Sequence, residues 1–236
     1  MSLRDAGSWL ALLSAVLLAA AGPGCQLDLW TFKTGFSLLR WAAYGGLAGA
    51  ALSVLAAALG WPSFWKGRLQ LIGAAALGLG TAALPWRFYR AARAYPPIHD
   101  LTTDPVDPPV FSAVLPPRQG SPNPVEYGGA DVFAQQRAAY PDLKPLILEK
   151  PPLEVFAKVE SAARRLRWEV IFSQAGRGVL EATDTTLWFG FKDDIAVRVR
   201  PQGKGTRVDA RSVSRVGKGD AGANAKRLRR FLALLR

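Results

Sequence analysis

The residues with the most chemistry to offer are crowded between Thr185 and Asn224, in the stretch TTLWFGFKDDIAVRVRPQGKGTRVDARSVSRVGKGDAGAN. Within it, Lys192, Asp193 and Asp194 fall between two runs of strand character, so two adjacent carboxylates are expected at a turn. Paired carboxylates can share a proton or hold a divalent cation. They can equally cap backbone amides, and Arg198, Arg200, Arg211 and Arg215 are available as ion-pair partners. Upstream, the only histidine, His99, stands beside Asp100 and near Asp104. That grouping suits a general base or a metal ligand, or a structural link that hydrogen-bonds this segment to a folded domain. The catalytic candidates are therefore His99, Asp100, Asp193 and Asp194. One histidine and one cysteine provide no recognisable metal spacing, so no metal and no cofactor are expected.

A second chemistry is anion binding. Ser212 to Asp220 carries glycines, exposed amides and two cations into a final helix, and a helix N-terminus favours negative charge. The order of Gly, Lys and Ser/Thr is not that of a P-loop. Asp220 is also a natural cap that competes for the same amides. The candidate ligand-binding residues are Lys192, Arg211, Ser212, Ser214, Arg215, Lys218 and Asn224.

These residues must be positioned by a chain of two parts. Half of the 236 residues are hydrophobic, but the first 94 or so are dominated by Ala, Leu, Gly and Trp. Spans are expected near 7–24, 36–60 and 69–88, about three transmembrane helices in a bundle over residues 1–94. The first apolar run, Trp9 to Ala21, also resembles a signal-peptide core; the further apolar runs favour a retained span. Gly45, Gly46, Gly49 and Ala50 have small-residue spacing that lets a neighbouring helix come close, though general Ala/Gly richness gives the same pattern. Trp61, Trp65, Trp86 and Tyr89 lie at segment ends, where amphipathic rings suit the interface.

From Tyr95 to Pro124 the chain holds nine of its 17 prolines. Proline forbids ladder hydrogen bonds, so residues 95–150 read as an extended strap packed on the domain, making no regular element in its proline-rich part. Asp131 to Tyr140 can form a short helix. Residues 151–236 form the core domain: an amphipathic helix from Leu153 to Leu166, strands over 168–173, 179–184, 194–200 and 206–214, and a last helix over 221–235. The fold class is α+β, an antiparallel four-stranded sheet with flanking helices.

The formal charge of +12 is shared about equally between the two parts. Excess positive charge on a membrane-tethered domain attracts anionic head groups or anionic ligands; no nucleic-acid motif accompanies it, so no nucleic acid is expected. Membrane lipids, an anionic ligand or a membrane-protein partner are the expected partners. A scaffold for membrane complexes would use the spans themselves. Lys33, Arg40, Arg87, Arg90 and Arg93 lie on the side of the domain, and the positive-inside rule taken alone favours a cytoplasmic domain.

Several motifs resemble a known family: IHDLTTDPVDPPVF over 98–111, Asn123-Pro124, Tyr127-Gly128, QQRAAYPDLKPL over 135–146, EATDTTLWFGFKDDIAVRVR, and RVDARSVSRVGKGDAGANAKRLRRFL. Together they resemble the bacterial and plastid family called domain of unknown function 1499, and the three-span leader is similar to that of its membrane-bound proteobacterial members. The resemblance spans about residues 95–235 and implies a fold without an activity. Small relatives look like exported lipoproteins, which implies an inner-membrane protein with a periplasmic domain, against the loop charge. The functional expectation is an accessory, non-enzymatic envelope protein that binds an anionic ligand, lipid or protein partner. The alternative is an envelope hydrolase of lipid or phosphate esters using His99/Asp100 and Asp193/Asp194.

Overall fold

A computed structural model describes residues 1–62 and 64–236. The chain forms two compact units: Met1–Ala91 with Leu187–Gly190, and Ala92–Thr186 with Phe191–Arg236.

The first unit is built on α1 (Leu3–Gln26), α2 (Phe32–Leu59) and α3 (Trp65–Ala94), of which α3 runs a few residues past it. All three are long and apolar enough to cross a membrane. Ser2 and Thr31 cap α1 and α2 through the amides of Asp5 and Thr34. The small residues set the helix spacing. A Cβ at Gly49 would come within 2.8 Å of the Ala11 amide on α1, and one at Gly78 of α3 within 2.3 Å of the Gly46 carbonyl on α2. Close backbone approach of this kind is the packing available to helices in lipid, where burial of apolar side chains gains little. Trp9, Val16, Trp41, Val54 and Ile72 are exposed on the helices.

The second unit is α+β, as expected, but its sheet has six strands. β1 (Asp100–Thr102) and β2 (Leu146–Leu148) come from the strap; β3 (Glu169–Gln174), β4 (Val179–Thr185), β5 (Lys192–Gln202) and β6 (Gly205–Ser214) form an antiparallel meander. The order is β1-β6-β5-β4-β3, with β2 also on β6. β1 pairs with Arg211–Val213 and β2 with Thr206–Val208, so two three-residue pieces share one edge of β6. Strands this short carry no period of their own among prolines, which is why the strap reads as irregular in sequence. Gly203 (φ 58°) opens the two-residue β5–β6 turn with the left-handed conformation that glycine adopts without strain.

Four helices complete the unit: α4 (Leu115–Arg118), α5 (Gly129–Ala139), α6 (Pro152–Arg165) and α7 (Ala223–Leu235). Side chains alternate along β4 to β6, and the two sheet faces differ in kind. One carries Leu180, Ala182, Ile195, Val197, Val208 and Ala210, which pack with Val155, Phe156 and Val159 of α6 and Leu228 and Phe231 of α7. The other carries Glu181, Thr183, Asp194, Arg198, Asp209, Arg211 and Arg215. The strap covers this polar face, with Phe111 and Val114 filling a small apolar gap against Ala196 and Val213. Gln136 of α5 seals the outer edge of β1: its side chain accepts from the Thr102 amide at 3.0 Å and donates to the Thr102 carbonyl at 2.7 Å, as a neighbouring strand would.

Candidate functional site

The Lys192-Asp193-Asp194 triplet lies within β5, not at the turn expected from sequence. The turn is displaced to residues 186–191, closed by the Thr186 amide donating to the Phe191 carbonyl at 2.9 Å. Successive strand residues face opposite ways, so the two carboxylates are separated by the sheet. Asp194 turns to the strap face, where it accepts from Arg118 at 2.6 Å and from Arg215 at 2.8 Å, with Thr183 donating at 2.8 Å. Asp193 turns to the helix face, where Arg227 of α7 donates to it at 2.5 Å. The arrangement divides the pair and leaves no shared proton or common cation.

Arg198 and Arg200 do not partner these aspartates. With Arg207 they converge on Asp104, at 3.2, 2.9 and 2.7 Å, and all three also reach Asp209. Asp107 on the strap closes the group from outside: Arg198 and Arg200 hold its carboxyl below the ordinary range.

Asp100 is the strap's central tie. Its carboxylate accepts both arms of Arg211, at 2.9 and 2.6 Å, and the guanidinium lies over Phe111 at 5.0 Å and Tyr127 at 5.6 Å. This bidentate, stacked geometry is particular to arginine. Asp100 and Arg211 are both only 3 % exposed. Burial pushes the Asp100 carboxyl above the ordinary range, against the opposing pull of Arg211. His99 is half-buried, with Nδ1 3.4 Å from the Lys218 carbonyl. The strap thus brings Asp100 to Arg211 as the sequence allowed, but inside the protein rather than in a cleft.

Of the candidate anion-binding residues, Ser212, Ser214 and Asn224 form an internal polar cluster. The Ser212 hydroxyl donates to Asn224 Oδ1 at 2.7 Å, and Asn224 Nδ2 donates to the Ser214 hydroxyl and the His99 carbonyl, both at 3.0 Å. Asp220 accepts from the amides of Gly222 at 2.8 Å and Asn224 at 2.7 Å, so the cap is filled by the chain's own carboxylate. Burial raises the Asp220 carboxyl above its usual range despite these amide bonds. Arg227 ties the cluster to the aspartates: burial depresses its guanidinium, but Asp193 and Asp184 more than offset this and hold it above the ordinary value. Of the seven nominated ligand-binding residues, only Lys192 and Lys218 are exposed.

Sequence reasoning missed three essential partners. Arg118 is buried beneath a proline-rich segment whose short helix leaves no periodic signal. Arg227 is one of several cations on α7, and only its place on the face of Asn224, Leu228 and Phe231 marks it as buried. Glu181, fully buried, accepts from the amide and hydroxyl of Ser112 at 3.0 and 2.6 Å and from the Val114 amide at 3.0 Å. Its one signal is an acid flanked by Leu180 and Ala182, at a position that alternates with the apolar face of β4.

Among the described residues no group of three or more His, Cys, Asp or Glu is placed to hold a metal. A pocket of about 190 Å³ beside α5 is lined by Thr103, Phe133, Arg137, Tyr140 and Lys144 among others, none of them a nominated residue. Comparison with curated proteins finds no match. Residues 100–235, which hold every strand of the sheet and every ion pair described above, match the family described as protein of unknown function (DUF1499), and the chain belongs to that family.

Proposed function

We propose that this is an integral protein of the bacterial inner membrane whose periplasmic domain acts by binding, as an accessory to other envelope components. The observation that carries the reading is the state of the acids. Asp100, Asp193 and Asp194 are each at most 4 % exposed, and each is held by at least one arginine. A general base or a metal ligand needs an accessible lone pair near substrate; these lone pairs are spent inside the protein. The exposed cations Lys192 and Lys218 support an anionic ligand, a lipid head group or an acidic face of a membrane-protein partner.

The test is native mass spectrometry of the full chain extracted in mild detergent, with and without Lys192→Ala and Lys218→Ala. A retained anionic lipid or stoichiometric partner that is lost in the double variant supports the reading. An identical spectrum from the variant, with or without bound species, contradicts it.

A further inference from the structure

The loop between β4 and β5, Leu187-Trp188-Phe189-Gly190, belongs to the helical unit. Its surroundings are made for it. Gly22 of α1 leaves room that a Cβ would fill, 2.2 Å from Trp188 Cδ1, and a Cβ at Gly35 of α2 would stand 2.7 Å from the Phe189 ring. Phe36 lies 5.2 Å from Phe189 and Phe88 of α3 lies 5.8 Å from Trp188, centroid to centroid. The contacts fall near the C-terminal end of α1, the N-terminal end of α2 and the C-terminal part of α3, beside Trp30, Trp86 and Tyr89. Rings of that kind gather at the boundary between head groups and acyl chains.

Two features distinguish this loop from an ordinary hairpin tip. It carries no charge, and its leading side chain, Leu187, is 98 % exposed while Phe189 is 7 % exposed. The loop is pinned at its base and at its leading carbonyl. The Leu187 carbonyl accepts from the Gln26 side chain, the Thr186 amide donates to the Phe191 carbonyl, and the Phe191 amide donates to the Thr186 hydroxyl at 2.9 Å.

We infer that residues 187–190 form a membrane-inserted wedge, with Leu187 immersed among lipid acyl chains and Trp188 seated on the helices at the interface. The inference rests on the reading that α1 to α3 span a bilayer. Its occupant is lipid: an apolar, uncharged tip beside lipid-facing helices matches acyl chains.

The test is nitroxide labelling of the full chain, on a Cys25→Ser background, in vesicles of phosphatidylethanolamine and phosphatidylglycerol. Labels go at Leu187→Cys, at Val54→Cys on the exposed face of α2, and at Lys204→Cys on the β5–β6 turn. Leu187 makes no packing contact to lose, so its substitution leaves the fold intact. Collision with oxygen relative to a water-soluble nickel chelate is expected to be several-fold higher at 187 than at 204. A ratio at 187 equal to that at 204, with 54 reading as lipid, overturns the wedge and leaves the spans standing. If 54 also reads as water, the spanning reading fails with it. Protection of 187 from both reagents means a protein covers the tip and likewise overturns the inference.

Discussion

Asp193 and Asp194 are consecutive residues whose carboxylates are bound on opposite faces of one sheet, the first by Arg227 of α7 and the second by Arg118 and Arg215. This separation turns what reads as a carboxylate pair into two independent ties. Asp193 joins β5 to the last helix, and Asp194 joins it to the strap. Most acids and arginines of 185–224 are therefore tied together within a domain whose sheet has one apolar and one ionic face.

Glu181 anchors the strap without a cation, since among the described residues no arginine or lysine pairs with it. Glu181→Leu leaves the Ser112 and Val114 amides unsatisfied, at a cost of about 1–3 kcal/mol for each group. Hydrogen exchange at those two amides is expected to accelerate well before exchange in α6. Equal protection in wild type and variant would show that the strap is held by other contacts.

Burial raises the phenols of Tyr127 and Tyr140 to about 12. An unfolded tyrosine titrates near 10, so over that interval the folded state keeps protons that the unfolded state has lost. The stability from these groups is complete below about pH 10 and is lost as pH rises towards about 12. Phenolate absorbance of the native protein should show a late phase whose amplitude falls in Tyr127→Phe. Titration of all tyrosines together near pH 10 would contradict the burial of these hydroxyls.

In the helical unit, Gly78→Val forces β-branched bulk against the Gly46 carbonyl, which a Cβ would already approach to 2.3 Å. Overpacking costs on the order of 1–3 kcal/mol, so the thermal midpoint in detergent should fall. Gly73→Val, where nothing lies within 4 Å, is the matched control and should change it little.

The long periodic elements were legible from sequence because burial on one face leaves a periodic trace. Phe156, Val159 and Ala163 mark the inner side of α6, and Ile195, Val197 and Val199 that of β5. The three apolar helices were legible from length. What stayed hidden is long-range pairing between non-periodic segments. Nothing local links Asp104 to Arg198, Arg200 and Arg207 about a hundred residues away, or Arg118 to Asp194. β1 and β2 are visible only once β6 offers its edge. The turn beside Lys192 lies earlier than its charge suggests because Leu187–Gly190 leaves the sheet, so β5 begins at Lys192 and not at Asp194.

Under the binding reading Asp100, Asp193 and Asp194 are structural ties rather than reactive groups, and Asp194 has the most to lose because two arginines hold it. Asp194→Ala would leave Arg118 and Arg215 buried without their carboxylate, and breaking a buried pair in this way costs about 3–5 kcal/mol. The measurement is the urea midpoint of the domain in the full chain, followed by near-ultraviolet circular dichroism. The expected result is a clear fall for Asp194→Ala, recovered when Arg118→Met and Arg215→Met are added. An unchanged or raised midpoint for the single variant, as for a carboxylate held at a cost to stability for the sake of function, would contradict it.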